Sequence, residues 1–260
     1  MKITVFSSNQ PRHLNLVKHL SSLADRIFFI SECNTVFPGI ISDFFKKSEV
    51  MQTYFSNVIS AEKKIFGNID FLPNNVSTLS IKSGDLNLLS KQQILSALES
   101  DIYIVFGASY IKGWLIDFLV LNNAINIHMG LSPYYRGSSC NFWALYDENP
   151  SYVGATIHKL SKGLDSGPML FHCTPKLKED DGPFDFTMRS VEIAHEGLYK
   201  SIRDDSLLTM DEVLQDKSLE VRYTRNIEFT DMIASEFMDR NIDLQSDDFD
   251  YPNLIKPYMG

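Results

Sequence analysis

The sequence predicts an α/β protein built on an open, doubly wound sheet, followed by a short acidic extension. Short apolar runs of strand length alternate with stretches of helical period through the first half of the 260 residues. The strongest run, Ile102-Tyr103-Ile104-Val105-Phe106, carries no charge, as expected of a strand buried on both faces of a parallel sheet. The charge is unevenly divided: residues 1–200 hold 18 Lys+Arg against 19 Asp+Glu, whereas residues 201–260 hold 6 against 14.

Residues 3–6 and 27–30 read as the first two strands, with Leu14, Val17, Leu20 and Leu23 marking a helix between them. Residues 76–81 give a third strand, and 86–98 a helix with Ser90 as one N-cap. After the central strand, 114–121 is helical and 124–128 returns as a strand. Residues 153–160 and 169–174 read as two later strands joined by a Gly-rich loop, and 186–202 as a helix. The stretch 33–75 exceeds what one crossover needs, and an inserted helix over 49–66 is expected there. The pattern weakens after Arg203-Asp204-Asp205, which divides the chain into a Rossmann-like, mostly parallel unit, 1–202, and an extension, 203–260.

Composition removes several classes. At 44% hydrophobic and 22% charged residues the chain is neither disordered, collagenous nor coiled coil. No run approaches the roughly 20 apolar residues of a membrane span, and the first residues turn polar too soon for a signal peptide. Cys33, Cys140 and Cys173 share no metal-ligand spacing and cannot all pair, so no metal is expected and a reduced, cytoplasmic setting is. The acidic extension repels phosphate backbones and anionic lipid, so neither nucleic acid nor a membrane is an expected partner.

Three short constellations hold the chemistry. In Asn126-Ile127-His128, positions i and i+2 of a strand put an amide and an imidazole side by side. They sit at the carboxyl end of the strand, where open α/β sheets bind ligands. Pro133-Tyr134-Tyr135-Arg136-Gly137 follows at once; by itself it reads as a surface turn with a solvated arginine. Lys162-Gly163-Leu164-Asp165-Ser166-Gly167-Pro168 brackets one acid with two glycines, and by itself reads as a hairpin turn.

Taken together and in this order, Asn126-x-His128, Pro133 with Arg136-Gly137, and Gly163-x-Asp165-x-Gly167 resemble the folate-dependent formyltransferase family. That family includes glycinamide ribonucleotide transformylase, methionyl-tRNA formyltransferase and the sugar-nucleotide N-formyltransferases. The resemblance is clearest over 103–171 and covers most of 1–200 more loosely. It implies that Asn126, His128 and Asp165 are the catalytic trio and that the formyl donor is N10-formyltetrahydrofolate. An Asn and a His N–H aimed at the formyl oxygen would form an oxyanion site, where one donor is worth roughly 3–4 kcal/mol. Asp165 would orient His128 and relay the proton leaving the amine. One departure stands out: Gly130 occupies the place where most of the family has a serine, and Ser132 is a partial replacement. Cys140 reads as a small buried residue.

The resemblance also implies cofactor contacts from Gly107, Tyr110 and Ile111, with Lys162, Gly163 and Leu164 closing the other side; core packing is the alternative for Ile111. Ser8, Asn9, Arg12 and His13 end the first strand and open the first helix. Backbone N–H groups there could hold a substrate phosphate, as the corresponding loop does in purine-pathway members. The alternative is an N-cap by Ser8 or Asn9 with a solvated arginine. Arg136 joins them as a substrate-binding candidate.

Among acceptors, an amino sugar or nucleotide-linked amino sugar agrees best in size and charge. A methionyl-tRNA enzyme would carry a basic C-terminal domain, and a purine-pathway transformylase would be shorter. A formyltetrahydrofolate hydrolase would use the same trio to direct water. Alternation in Leu219-x-Val221-x-Tyr223 predicts a strand with one buried face, suited to pairing across the two-fold axis of a homodimer.

Overall fold

A computed structural model describes residues 1–40, 48–242, 244 and 249–260; the middle of the 33–75 stretch and part of the extension lie outside the described residues. One eight-stranded sheet organises the molecule. Its strands are β1 (Lys2–Ser8), β2 (Arg26–Cys33), β3 (Val76–Lys82), β4 (Ile102–Val105), β5 (Ile125–His128), β7 (Ala155–Lys159), β8 (Met169–Thr174) and β10 (Tyr258–Met259), in the order β10-β8-β7-β5-β4-β1-β2-β3. Neighbours run parallel except where β7 pairs antiparallel with β5 and β8. Strands β6 (Tyr135–Gly137) and β9 (Arg222–Thr224) form a separate parallel pair.

Alternation along the strands explains the two-sided burial. Ile3, Val5, Ile102 and Ile104 pack on one face against α1 (Pro11–Ser21) and α5 (Pro183–Arg203). Phe6, Tyr103 and Val105 pack on the other against α3 (Trp114–Leu121). An uncharged run is what a strand with both faces covered requires. The helix expected over 49–66 is present as α2 (Glu49–Phe66): the Ser48 side chain accepts from the Met51 N–H at 3.1 Å, and Gly67 closes it at a φ of 73°.

Two expectations are corrected. Residues 86–98 are not one α-helix but two 3₁₀ segments, Leu86–Leu88 and Lys91–Leu98, with a break at Ile94. The buried positions, Leu86 with Leu89 and Ile94 with Ala97, recur every three residues, which is the 3₁₀ period. The alternating 219–223 run does not bury one face. Leu219, Val221 and Tyr223 are all about half exposed, and the strand shifts to Arg222–Thr224. It is held within the same chain, because the N–H groups of Val221 and Arg222 both donate to the Tyr134 carbonyl, at 2.8 and 3.0 Å.

Beyond Arg203 the chain follows the main body rather than forming a core of its own. Val213 exchanges two backbone bonds with Met169, and Tyr258–Met259 adds the last strand beside β8. Helix α6 (Asp231–Asp239) packs Phe237 into a second core with α2 and α4 (Cys140–Tyr146), around Tyr54, Phe142 and Trp143. Among the described residues no helix is long and apolar enough to cross a membrane.

Candidate active site

Strand β5 delivers Asn126 and His128 to one face, and the antiparallel register sets Asn126 opposite His158 and His128 opposite Thr156. Asp165 reaches the same place from the β7–β8 loop. Its carboxylate lies 3.4 Å from His128 Nδ1, 3.2 Å from Asn126 Nδ2 and 3.9 Å from His158 Nε2. The Asn126 amide also lies 2.9 Å from His158 Nε2, while His158 Nδ1 donates to the Lys159 carbonyl at 2.8 Å. Both Asn126 amide hydrogens therefore have partners inside the cluster. Presenting one to a ligand oxygen requires exchanging a partner for it.

The charges within this cluster are sorted by their neighbours. Burial opposes a charged His128, but the Asp165 carboxylate and then the Cys140 sulfur outweigh it, and the imidazole titrates well above the ordinary histidine value. Burial also opposes a charged Asp165; His128, helped by His158 and Arg136, holds the carboxyl below its usual range. His158 goes the other way, pushed down to about 4 by burial and by His128. The cluster is thus an imidazolium–carboxylate pair beside a neutral imidazole. His158 is a site residue that the motifs alone do not reveal. Its signal is a polar pair, Thr156 and His158, alternating with apolar Ala155 and Ile157 along the strand.

The loop carrying Asp165 is folded tightly. Asp165 itself adopts a φ of 44°, and a Cβ on Gly167 would stand 1.7 Å from the Lys159 carbonyl oxygen. Gln215, from the extension, donates through Nε2 to the carbonyls of Asp165 and Gly167 at 2.8 and 2.9 Å. The extension grips the second motif as well. Gly137 lies against β9 so closely that a Cβ there would be 2.0 Å from the Thr224 carbonyl oxygen. Arg136 is buried, pairing with Glu220 at 2.9 Å, so the alternative of a solvated arginine on a surface turn does not hold.

The remaining sequence candidates fall into two groups. Near the trio, Tyr110 and Leu164 are about half exposed and the Tyr110 hydroxyl lies 3.4 Å from the Lys162 carbonyl. Lys162 pairs with Asp117 at 2.6 Å, and Gly163 folds onto Ser166. Gly107 has a φ of 62° and meets His13, while Ile111 is buried in the core against α3. Buried Glu32, which no motif flagged, anchors this segment by accepting from the Ser109 N–H at 2.6 Å and hydroxyl at 2.8 Å. The second group is the β1–α1 loop, whose polar groups have partners of their own except His13 Nδ1, which has none among the described residues. Ser8 donates to the Glu32 carbonyl, Asn9 exchanges bonds with the Asn34 backbone, and Arg12 pairs with buried Glu62 at 2.7 Å. Neither Ser8 nor Asn9 caps α1, which starts from Gln10 and Pro11, and Arg12, partly exposed, is tied to Glu62.

His128 opens onto a cavity of about 1050 Å³. Its walls include Tyr54 and Phe55 of α2, Phe184 and Thr187 of α5, and Phe229 and Phe237 from the extension. A second cavity of about 640 Å³, bordered by Ser8, His13 and Gly107, shares Arg12, Phe55 and Val58 with the first. Among the described residues, no group of three or more His, Cys, Asp or Glu side chains is arranged to hold a metal ion.

A family profile described as formyl transferase matches residues 27–202. Methionyl-tRNA formyltransferase of Koribacter versatilis is 34% identical over 109 residues, which are 42% of this chain and 34% of that protein. The chain thus matches about a third of the length of that relative. Among solved structures, a 4-N formyltransferase from Francisella tularensis superposes with a TM-score of 0.55 at 16% identity, covering 87% of this chain and 77% of the other. An N-formyltransferase from Helicobacter canadensis, in complex with folinic acid and dTDP-3-aminofucose, gives a TM-score of 0.52 at 13% identity over 88% and 73% of the two chains.

Proposed function

The chain belongs to the formyl transferase family, and from that premise we propose that it transfers a formyl group from N10-formyltetrahydrofolate to the primary amine of an amino sugar, free or nucleotide-linked. The observation that carries this reading is the His128–Asp165 pair, with Asn126 beside it, at the edge of a large cavity. When bound, the donor supplies an activated formyl carbon. His128, held as an imidazolium, stabilises by its positive charge the negative charge that develops on the formyl oxygen. Asn126 adds a donor by giving up one of its partners within the cluster. Asp165 holds the imidazolium in register and accepts the proton released as the amine attacks; that proton passes to N10 as the bond from the formyl carbon to N10 breaks and tetrahydrofolate leaves.

The exposed Tyr110 and Leu164 side chains suit the flat, largely apolar ring of a folate, and the 107–111 and 162–164 loops supply backbone polar groups around it. The acceptor then enters from the 1050 Å³ cavity on the α2 and α5 side. The size of that cavity supports a sugar bearing a nucleotide, and the Helicobacter enzyme was solved with an amino sugar of that kind. The β1–α1 loop offers less support for a phosphate, because Arg12 is already compensated by Glu62.

Tetrahydrofolate release, measured with and without candidate amines, tests the proposal. Release that depends on a nucleotide-linked amino sugar supports it. Equal release without any amine identifies a hydrolase, and no release with any amine overturns both. A homodimer remains part of the proposal, through exposed apolar residues such as Leu214, Ile227 and Met232 rather than through β9. Sedimentation equilibrium showing a monomer at tens of micromolar removes it.

A further inference from the structure

We propose that Cys140 is a positioning residue for His128, and that Gly130 is glycine because residue 140 and the His128 ring together occupy the space its side chain would need. Cys140 opens α4 and is almost fully buried. Its sulfur lies 3.5 Å from His128 Nε2 and 3.5 Å from the Gly137 carbonyl, to which the S–H donates. A Cβ built on Gly130 would stand 2.5 Å from the Cys140 Cβ, 3.1 Å from its sulfur and 2.9 Å from His128 Nε2. Residues 130 and 140 therefore compete for one volume, and that volume borders the imidazole edge turned away from Asp165. One polar atom fits there. In this chain the atom is sulfur.

Among the described residues the sulfur shares Nε2 with the Tyr135 carbonyl, 3.4 Å away, and Ser132 does not reach it. The Ser132 N–H donates to Thr156 Oγ1, the Ser132 carbonyl accepts from His172, and the Ser132 hydroxyl is buried with no partner among the described residues. The groups facing the His128 ring are Asp165 at Nδ1, Cys140 and the Tyr135 carbonyl at Nε2, and neutral His158 across a ring-centroid distance of 6.4 Å. With its hydrogen committed to Gly137, the sulfur presents a lone pair to an N–H at Nε2. The ring is thereby fixed at both nitrogens: one faces the carboxylate that keeps it charged, the other a soft, weak acceptor that holds its tilt. Fixing the ring at both edges keeps the Nδ1–Asp165 axis aligned with the cavity.

This inference rests on the proposed function, since it concerns the same histidine, but the titration of His128 followed by NMR reads it without turnover. Cys140→Ala should lower the His128 pKa and reduce kcat about tenfold with little change in KM for the donor, because a misaligned ring loses transition-state contacts first. Cys140→Ser should restore both. Gly130→Ser should be strongly impaired, and Gly130→Ser/Cys140→Ala should be no better, because the Cβ added at 130 would stand 2.5 Å from the Cβ that alanine keeps at 140. An unchanged His128 titration in Cys140→Ala overturns the proposal, as does a Gly130→Ser variant with the activity of the unmodified enzyme. Should no amine be formylated at all, the proposed function falls while the titrations still decide the role of Cys140.

Discussion

Two buried histidines stand close to the carboxyl ends of strands in the same sheet, and their surroundings push their pKa values in opposite directions. His13 follows β1, with its ring 4.9 Å from Phe106 and no partner at Nδ1 among the described residues. Burial, with Arg12 and His195 beside it, pushes its pKa well below the ordinary value. The nearest acid, Glu62, is spent on Arg12. His128 ends β5 and is buried to nearly the same degree, yet its pKa moves upward because Asp165 faces it. Burial alone neutralises an imidazole, and a dedicated carboxylate reverses the outcome. A packing histidine and a proton-bearing one can thus share an address in the fold.

Removing the carboxylate should erase the difference, and the largest effect is expected there. Asp165→Asn keeps the shape of the loop and removes its charge, so kcat/KM should fall about 10³- to 10⁴-fold in a tetrahydrofolate-release assay. NMR should show His128 moving toward the neutral behaviour of His13. If most activity survives, Asp165 holds the loop and nothing more. Asn126→Ala ranks next, with a loss of about 10²- to 10³-fold in kcat for an oxyanion donor. Turnover near that of the unmodified enzyme would leave Asn126 as a spacer between His158 and Asp165.

The pH dependence sharpens the contrast. A raised His128 pKa means that the proton leaves only above the ordinary histidine value, so the alkaline limb of kcat should lie above about 6.5 and shift to lower pH in Asp165→Asn. In stability, the contribution of His128 is fully present below its unfolded pKa and is lost as pH rises through the raised folded value. That of Asp165 is present above its unfolded pKa and is lost as pH falls through its depressed one. Urea midpoints across pH should peak between these limits, and a profile unchanged by Asp165→Asn would show that the pair does not set them. The smallest effect is expected at His13: His13→Leu should change kcat less than about threefold, as a volume-matched core exchange does. A loss as large as that of Asn126→Ala would make the β1–α1 loop part of the chemistry.

The trio is legible in the sequence because its chemistry is local: a two-residue spacing on a strand and an acid between glycines. The sheet is legible for a similar reason, since strands covered on both faces must be uncharged. What is not legible depends on partners far along the chain. Gln215 meets the Asp165 loop across 50 residues and Glu220 meets Arg136 across 84, and neither pairing leaves a period to read. The 219–223 alternation misleads because backbone bonds to Tyr134, and not side-chain burial, decide how that segment lies. Cys140 has no local signal either. Its only trace in the sequence is the glycine at 130, which has meaning once the two are seen to share a space.

The contact of Gly137 with the Thr224 carbonyl makes the tail a replaceable part of the catalytic loop rather than an ornament on it. Because the join is made of backbone bonds, buried ion pairs and an added edge strand, it should survive a cut in the connecting peptide. A protein nicked after residue 203 should stay assembled and active, whereas a purified 1–203 fragment should lose activity and regain it when a 204–260 peptide is supplied in trans. A 1–203 fragment active by itself would show that the second and third motifs hold their shape unaided. Grafting an acceptor pocket from a relative onto this chain would then demand that the tail travel with it, because the floor of the site and the wall of the cavity are cut from different ends of the sequence.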